Sequence, residues 1–332
     1  MPRTIIAGAG HYVPENIITN ADLAKLMDTS DEWITERTGI KERRYFTEGK
    51  DTTSSMGVNA SRMALANASI QPEDIDFIIF ATLSPDYHFP GSGVLLQREM
   101  NMGTIGALDI RTQCSGFIYG LSIADQFIKS GMYKNILLVC SETQSNILEH
   151  SERGRNMAPI FGDGAGAVVL SASDDDKKGI LSTHLHSEGK YAEELMNEHP
   201  GSVRKKRITH EMIDDGSFLA YMNGNMVFKH AVTRFEETIR EALDFNGLKA
   251  EDIDLLIPHQ ANLRISQYIQ KQFQFPEEKV FNNIQKYGNT TAASIPIALS
   301  EAWQDGKIST GKKVCMAAFG SGFTWGSAIV QF

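Results

Sequence analysis

Cys114 in the segment QCSGF, His259 in PHQAN and Asn289 in YGNTTAAS are the residues of this chain best suited to covalent chemistry. A thiolate attacks thioesters, and an imidazole and a carboxamide can donate hydrogen bonds to a developing negative charge. Cys114 precedes the stretch FIYGLSIADQFIK, whose mostly apolar character predicts a helix. Its sulfur would then face unpaired backbone N–H groups and the positive end of a helix dipole, both of which favour the thiolate. Together the three residues outline a thiol-based acyl-transfer site.

Each has an ordinary alternative. A lone cysteine is most often a packing residue. Cys140 and Cys315 fit that description, because NILLVCSE and KVCMAAFG read as buried strands. Cys114 differs in having Gln113, Ser115 and Gly116 around it, small or polar groups at an expected strand-to-helix turn. His259 follows the strand-like LLIP and precedes a polar turn, Gln260, Ala261 and Asn262, ahead of the helix-like LRISQYIQKQF. That context puts the imidazole at an edge facing a cavity, against the alternative of a hydrogen-bonded core histidine. Asn289 follows Gly288, where asparagine also serves simply to close a turn. No spacing argument brings the three together.

The elements that must position them show an internal echo. Glu73-Asp74-Ile75-Asp76-Phe77-Ile78-Ile79 is matched by Glu251-Asp252-Ile253-Asp254-Leu255-Leu256-Ile257, each an acidic turn entering an apolar strand. FGDGAGAVVL from Phe161 and FGSGFTWGSAIV from Phe319 form a second pair in the same order. Two matches in register predict a duplicated half. The polar break Asp174-Asp175-Asp176-Lys177-Lys178-Gly179 places the division so that residues 1–174 carry the cysteine and residues 175–332 the histidine and asparagine. Short Val/Ile/Leu-rich runs alternate with helical patterns in both halves, which predicts sheets sandwiched between helices. The helix after Cys114 would be buried on nearly all sides.

Composition narrows the function classes. The 332 residues, 42% of them hydrophobic, suffice for a large core. A net charge of −9 argues against general affinity for nucleic acid, and Arg204-Lys205-Lys206-Arg207 reads as a solvated loop. Three cysteines without close pairing suggest neither a disulfide framework nor a metal site, which suits the cytoplasm. No segment approaches the length of a membrane helix. Gly8-Ala9-Gly10 starts like a dinucleotide fingerprint, but Val13 stands where the third glycine belongs. Gly162 to Gly166 leads into a strand, the wrong order for a phosphate-binding helix.

Nearly the whole chain resembles the beta-ketoacyl-acyl carrier protein synthase III family. The segments that carry the likeness are TSDEWITERTGIKER, the Cys114 context, FGDGAGAVVL, GNMVFKHAV, PHQANLRI, YGNTTAASIPIALSEA and FGSGFTWGSAIVQF. The resemblance implies an α/β fold of the thiolase type, five α-β-α-β-α layers built from two duplicated halves, and a homodimer. It implies a decarboxylating Claisen condensation of an acyl-CoA primer with malonyl-acyl carrier protein, through an acyl group on Cys114, giving 3-oxoacyl-acyl carrier protein. No cofactor or metal is expected, since coenzyme A enters as the substrate thioester. A secondary-metabolite condensing enzyme and a non-decarboxylating acyltransferase of the same fold are the alternatives.

By the same resemblance, Cys114, His259 and Asn289 are catalytic, and the backbone N–H groups of Cys114 and Ser321 form an oxyanion hole. Coenzyme A would contact Thr29, Trp33, Arg37, Arg153, Gly224, Asn225, Phe228, Ala261 and Asn262. In SERGRNMAPIFGDG the family's second adenine-side arginine matches Arg153 by motif and Arg155 by distance, and Arg153 is preferred. Phe89, Phe161 and Phe319 would shape the acyl pocket, Phe89 reaching into a partner subunit. Lys229 and Arg264 would face the acidic carrier protein. The chain departs from the family in a long stretch from about Leu195 to Phe218, and in Gln113 and Ser115, where alanine is common. Both departures bear on which primer fits.

Overall fold

The computed structural model describes residues 2–332, in which the apolar runs become the strands of two main sheets. In the first half, β1 (Arg3–Tyr12) leads to a ribbon of β2 (Asn16–Thr19) and β3 (Glu42–Tyr45), with α1 (Asn20–Leu23) and α2 (Asp31–Thr38) between them. Next come α3 (Thr53–Ala68), β4 (Phe77–Ala81), α4 (Ser92–Glu99), β5 (Gly106–Ile110), α5 (Gly116–Lys129), β6 (Asn135–Glu142) and β7 (Gly164–Ser173). The second half opens with β8 (Gly179–Ser187), followed by a short ribbon, β9 (Leu195–Met196) and β10 (Tyr221–Met222), spanning α6 (His210–Asp214). It continues through α7 (Gly224–Phe245), β11 (Leu255–Pro258), α8 (Leu263–Phe273), α9 (Ile284–Tyr287), α10 (Ser294–Gln304), β12 (Lys313–Gly320) and β13 (Thr324–Gln331).

The sheets share one topology. The first runs β1-β7-β6-β4-β5 and the second β8-β13-β12-β11, with a single bridge from Leu256 to Val280 where β5 would lie. The outer pairs β1–β7 and β8–β13 are antiparallel, and β4–β6 and β11–β12 are parallel. The echo seen in the sequence extends to single atoms. Asp76 Oδ2 accepts from the Asn135 N–H at 2.9 Å, and Asp254 Oδ2 from the Lys313 N–H at 2.9 Å. Each aspartate therefore ties the start of one strand to the start of its parallel neighbour. The Asp174 to Lys178 turn joins the two units, and each half contributes one sheet.

Five layers follow from how each strand divides its side chains. Along β6, Ile136, Leu138 and Cys140 face the central layer while Leu137 and Val139 face outward onto α3 and α4. Along β12, Val314, Met316 and Ala318 face the centre, and Cys315, Ala317 and Phe319 pack with α7 and α8. Strands buried on both faces read as continuous apolar runs. Cys140 and Cys315 are packing residues, fully buried. Between the sheets lie α5 and α10. Phe117, Ile118, Leu121 and Ile128 of α5 are wholly buried, each worth about 1.5–3 kcal/mol. Gly8 and Gly10 serve packing too, for a Cβ at either would collide with the α3 backbone, at 2.4 Å from Ala64 O and 2.3 Å from Ala60 O. Among the described residues, no helix is long and apolar enough to cross a membrane.

Candidate active site

Cys114, His259 and Asn289 line one cleft of about 880 Å³ at the meeting of the two halves. Cys114 is the middle residue of a 3-10 turn, Gln113–Ser115, that runs directly into α5. The turn Thr291–Ala293 enters α10 in the same way, and Gln113 and Thr291 share a left-handed backbone, φ 44° and 52°. Ala292 is thus the counterpart of Cys114. A duplicated scaffold presents two equivalent turn tips, and only one carries sulfur.

The structure corrects the expectation of a resting thiolate. Cys114 is 8% exposed, and burial, followed by the charge of Glu142, pushes its thiol up to about 12. Its own backbone N–H works in the other direction and does not offset the loss of water. The sulfur is therefore a neutral thiol lining the cleft. Glu142 is itself fully buried and raised by desolvation to about 7, while Ser84 Oγ, the Leu83 N–H, Thr82 Oγ1 and Gln144 Nε2 all donate to it.

His259 enters from the end of β11. Its Nδ1 lies 2.6 Å from Ser294 Oγ, which also accepts from the Gln260 N–H at 3.3 Å. The hydroxyl can donate its hydrogen to Nδ1, and in that tautomer the ring hydrogen sits on Nε2. Nε2 is buried and meets no partner among the described residues. Burial lowers the imidazole to about 3, so the ring is a neutral donor. Asn289 Oδ1 accepts from the Thr291 N–H at 2.8 Å, which leaves the Nδ2 amide free to donate into the cleft. Neutral donors of this kind stabilise a negative oxygen that forms during reaction.

Two loops frame the sulfur. Gly320 closes β12 so tightly against Cys114 that a Cβ there would lie 3.1 Å from Sγ and 2.6 Å from the cysteine Cβ. Only glycine allows that approach. Ser115 Oγ lies 2.7 Å from Thr324 Oγ1, and Thr324 Oγ1 donates to the Ser321 carbonyl at 3.1 Å. The side chain of Ser321 donates to the Leu195 carbonyl, which leaves its backbone as the group available beside Gly320. Phe161 and Phe319 line the same cleft, and Phe161 bridges to Asn289.

At the other end of the cleft, Ser30 caps α2 by accepting from the Trp33 N–H at 3.1 Å, and Gly39 ends the helix at φ 79°. Asn262 caps α8 and donates from Nδ2 to the Arg37 carbonyl at 2.9 Å, which brings the two segments together. Arg37 stacks over the Trp33 ring at 4.5 Å. Gly224, Asn225 and Phe228 of α7, with Ala261, Asn262 and Arg264, supply more of the wall.

Four expected positions fall outside this wall. Arg153 pairs with Glu149 and borders a different cavity, whereas Arg155 lies 5.8 Å from the Trp33 ring centroid and lines the cleft. The preference for Arg153 is thereby reversed, because the loop turns Arg155 toward Trp33. Thr29 lies just ahead of α2, its Oγ1 buried without a partner among the described residues. Phe89 is 82% exposed and lines no part of this chain's cleft, unlike its neighbour His88. Lys229 is exposed on α7. Sequence reasoning missed Ser294, although it closes the YGNTTAAS segment, and the Ser115–Thr324 contact, which no local pattern signals.

Comparison with known proteins supplies the family. The family profile described as 3-oxoacyl-[acyl-carrier-protein (ACP)] synthase III matches residues 108–189, and the corresponding C-terminal profile matches residues 243–332. The beta-ketoacyl-[acyl-carrier-protein] synthase III of Aquifex aeolicus is 45% identical over 329 residues, spanning 99% of both chains. A crystal structure of the Aquifex aeolicus enzyme superimposes with a TM-score of 0.90, covering 99% of this chain and 100% of that one. A priming β-ketosynthase from a polyketide pathway is 31% identical, with a TM-score of 0.90 over 99% of this chain and 96% of its own. Both the sequence along its whole length and the architecture place this chain in the beta-ketoacyl-[acyl-carrier-protein] synthase III family.

Proposed function

We propose that this chain joins an acyl-CoA primer to malonyl-acyl carrier protein by decarboxylating Claisen condensation, giving 3-oxoacyl-acyl carrier protein. The observation that carries the proposal is the buried, unpartnered Nε2 of His259 on the same cleft wall as Cys114 and Asn289. An orphaned buried donor is costly, and a substrate oxygen would satisfy it.

In the first step the Cys114 sulfur attacks the primer's thioester carbon. The S–C bond to coenzyme A breaks, and the proton leaving Cys114 ends on the departing coenzyme A sulfur. Backbone N–H groups at the start of α5 stabilise the sulfur as that proton leaves, and those of Cys114 and Ser321 hold the oxyanion. Trp33, Arg37 and Arg155 bind the adenine end, with Gly224, Asn225, Phe228, Ala261 and Asn262 along the tunnel. No cofactor takes part.

In the second step the malonyl group loses carbon dioxide, and the electrons of the broken C–C bond form an enolate. Nε2–H of His259 and Nδ2 of Asn289 donate to its oxygen. The enolate carbon then bonds to the acyl carbon, the Cys114 S–C bond breaks, and the sulfur leaves as a thiolate that takes a proton from water. Because His259 is neutral it donates without having to be charged.

Lys229 and Arg264 on the neighbouring helices α7 and α8 suit an acidic carrier. A homodimer accounts for the exposed edge strand β5 beside the exposed Tyr87 and Phe89, the latter completing a partner's acyl pocket. The unpaired cysteines fit a cytoplasmic setting. A priming role in a secondary pathway is the second reading, favoured by the likeness to the polyketide priming enzyme.

Intact mass spectrometry with acetyl-CoA tests the proposal. One acetyl group should appear, map to Cys114, and leave as a 3-oxoacyl carrier product when malonyl-carrier protein is added, with carbon dioxide released. Acyl transfer without carbon dioxide release would indicate the non-decarboxylating alternative, and labelling that persists in Cys114→Ala would refute the nucleophile.

A further inference from the structure

The β9–β10 ribbon separates two cavities, and its pleat assigns side chains to them by turns. Leu195 and Met222, paired across the ribbon, line the cleft that holds Cys114, while Tyr221 lines a neighbouring cavity of about 470 Å³. Met196, the partner of Tyr221, borders both. Successive residues of a strand point to opposite faces, so this ribbon, two residues per strand, is the partition itself. Its cleft side adjoins the nucleophile, because Leu195 accepts from Ser321 Oγ and Gly320 packs on Cys114. Ile147, Leu148, Met157 and Ala220 complete the shared wall. All are uncharged, and methionine side chains change shape readily.

We infer that the second cavity is an acyl-chain site. A linear acyl group on Cys114 too long for the cleft passes the ribbon beside Met196, Met157 and Ala220 and lays its distal carbons in the second cavity. Medium-chain acyl-CoA thioesters are therefore primers. This rests on the reading of Cys114 as the acylated residue. The cavity volume lies within the usual range for small-molecule sites. Glu149, Arg153, Glu198 and Asp215 on its remaining wall set the limit, since an alkyl chain reaching them would strip water from charged groups.

Leu219 borders the second cavity and not the cleft, so Leu219→Trp fills the one and spares the other. The test is the rate of Cys114 acylation by acetyl-CoA and by decanoyl-CoA, followed by intact mass. Wild type should load decanoyl within about tenfold of acetyl. Leu219→Trp should keep the acetyl rate and slow decanoyl loading by about tenfold or more, and Met196→Ala should speed decanoyl loading. Acetyl loading without decanoyl loading in wild type, or an equal effect of Leu219→Trp on both primers, would overturn the inference and leave the proposed function standing. Absence of any acyl group on Cys114 would overturn both.

Discussion

Ser115 Oγ and Thr324 Oγ1 lie 2.7 Å apart, joining the turn that carries Cys114 in the first half to the glycine-rich loop of the second. Both backbone donors proposed for the oxyanion belong to these loops, so the contact sets their separation. Ser115→Ala should slow acylation by about twofold to tenfold, the worth of one net hydrogen bond. The check is the rate of acyl transfer to Cys114, with the melting temperature recorded alongside. An unchanged rate would show that Gly320 packing alone fixes the geometry.

In the proposed reaction Ser294 acts through His259, whose Nδ1 it contacts at 2.6 Å. Replacing it with alanine leaves Nδ1 without its donor, so the ring hydrogen can move there and Nε2 loses its role. Ser294→Ala should reduce carbon dioxide release by about tenfold to a hundredfold while acyl loading stays near wild type. Stopped-flow decarboxylation and intact-mass loading separate the two steps.

At the mouth of the cleft, Arg155 and not Arg153 reaches Trp33. Arg155→Ala should raise KM for acyl-CoA by about threefold to tenfold, as expected for loss of a stacked cation. Arg153→Ala should leave the KM for acetyl-CoA unchanged. Steady-state kinetics with both variants decides between them.

The buried thiol predicts a distinctive pH response. Raising pH removes the proton, and with the thiol pushed up to about 12 its ionised fraction grows about tenfold per pH unit across the neutral and mildly alkaline range. Alkylation of Cys114 by iodoacetamide should rise at that slope with no plateau up to about pH 10. A plateau near neutral pH would mean that the N-terminus of α5 outweighs burial.

How much of this was legible beforehand varies with the physical range of the signal. Strand runs such as NILLVCSE and KVCMAAFG were readable because burial on both faces keeps their central segments, ILLVC and VCMAAF, apolar throughout. The duplication was readable because Asp76 and Asp254 keep the same acidic turn for the same backbone bonds. Local sequence marked Cys114 as unusual, yet it could not weigh desolvation by the second half against the helix dipole. The choice between Arg153 and Arg155 turned on the path of an irregular loop. The β9–β10 ribbon was invisible for a similar reason: strands of two residues carry no periodicity, and only tertiary pairing defines them.

In the proposed reaction, neutral donors on His259 and Asn289 serve the decarboxylation step alone. The most direct test of that division is Asn289→Ala, with acyl loading and carbon dioxide release timed separately on the same preparation. The account predicts near-normal loading of Cys114 and a loss of about a hundredfold to a thousandfold in carbon dioxide release, the usual cost of removing one such donor. Equal losses in both steps would contradict it.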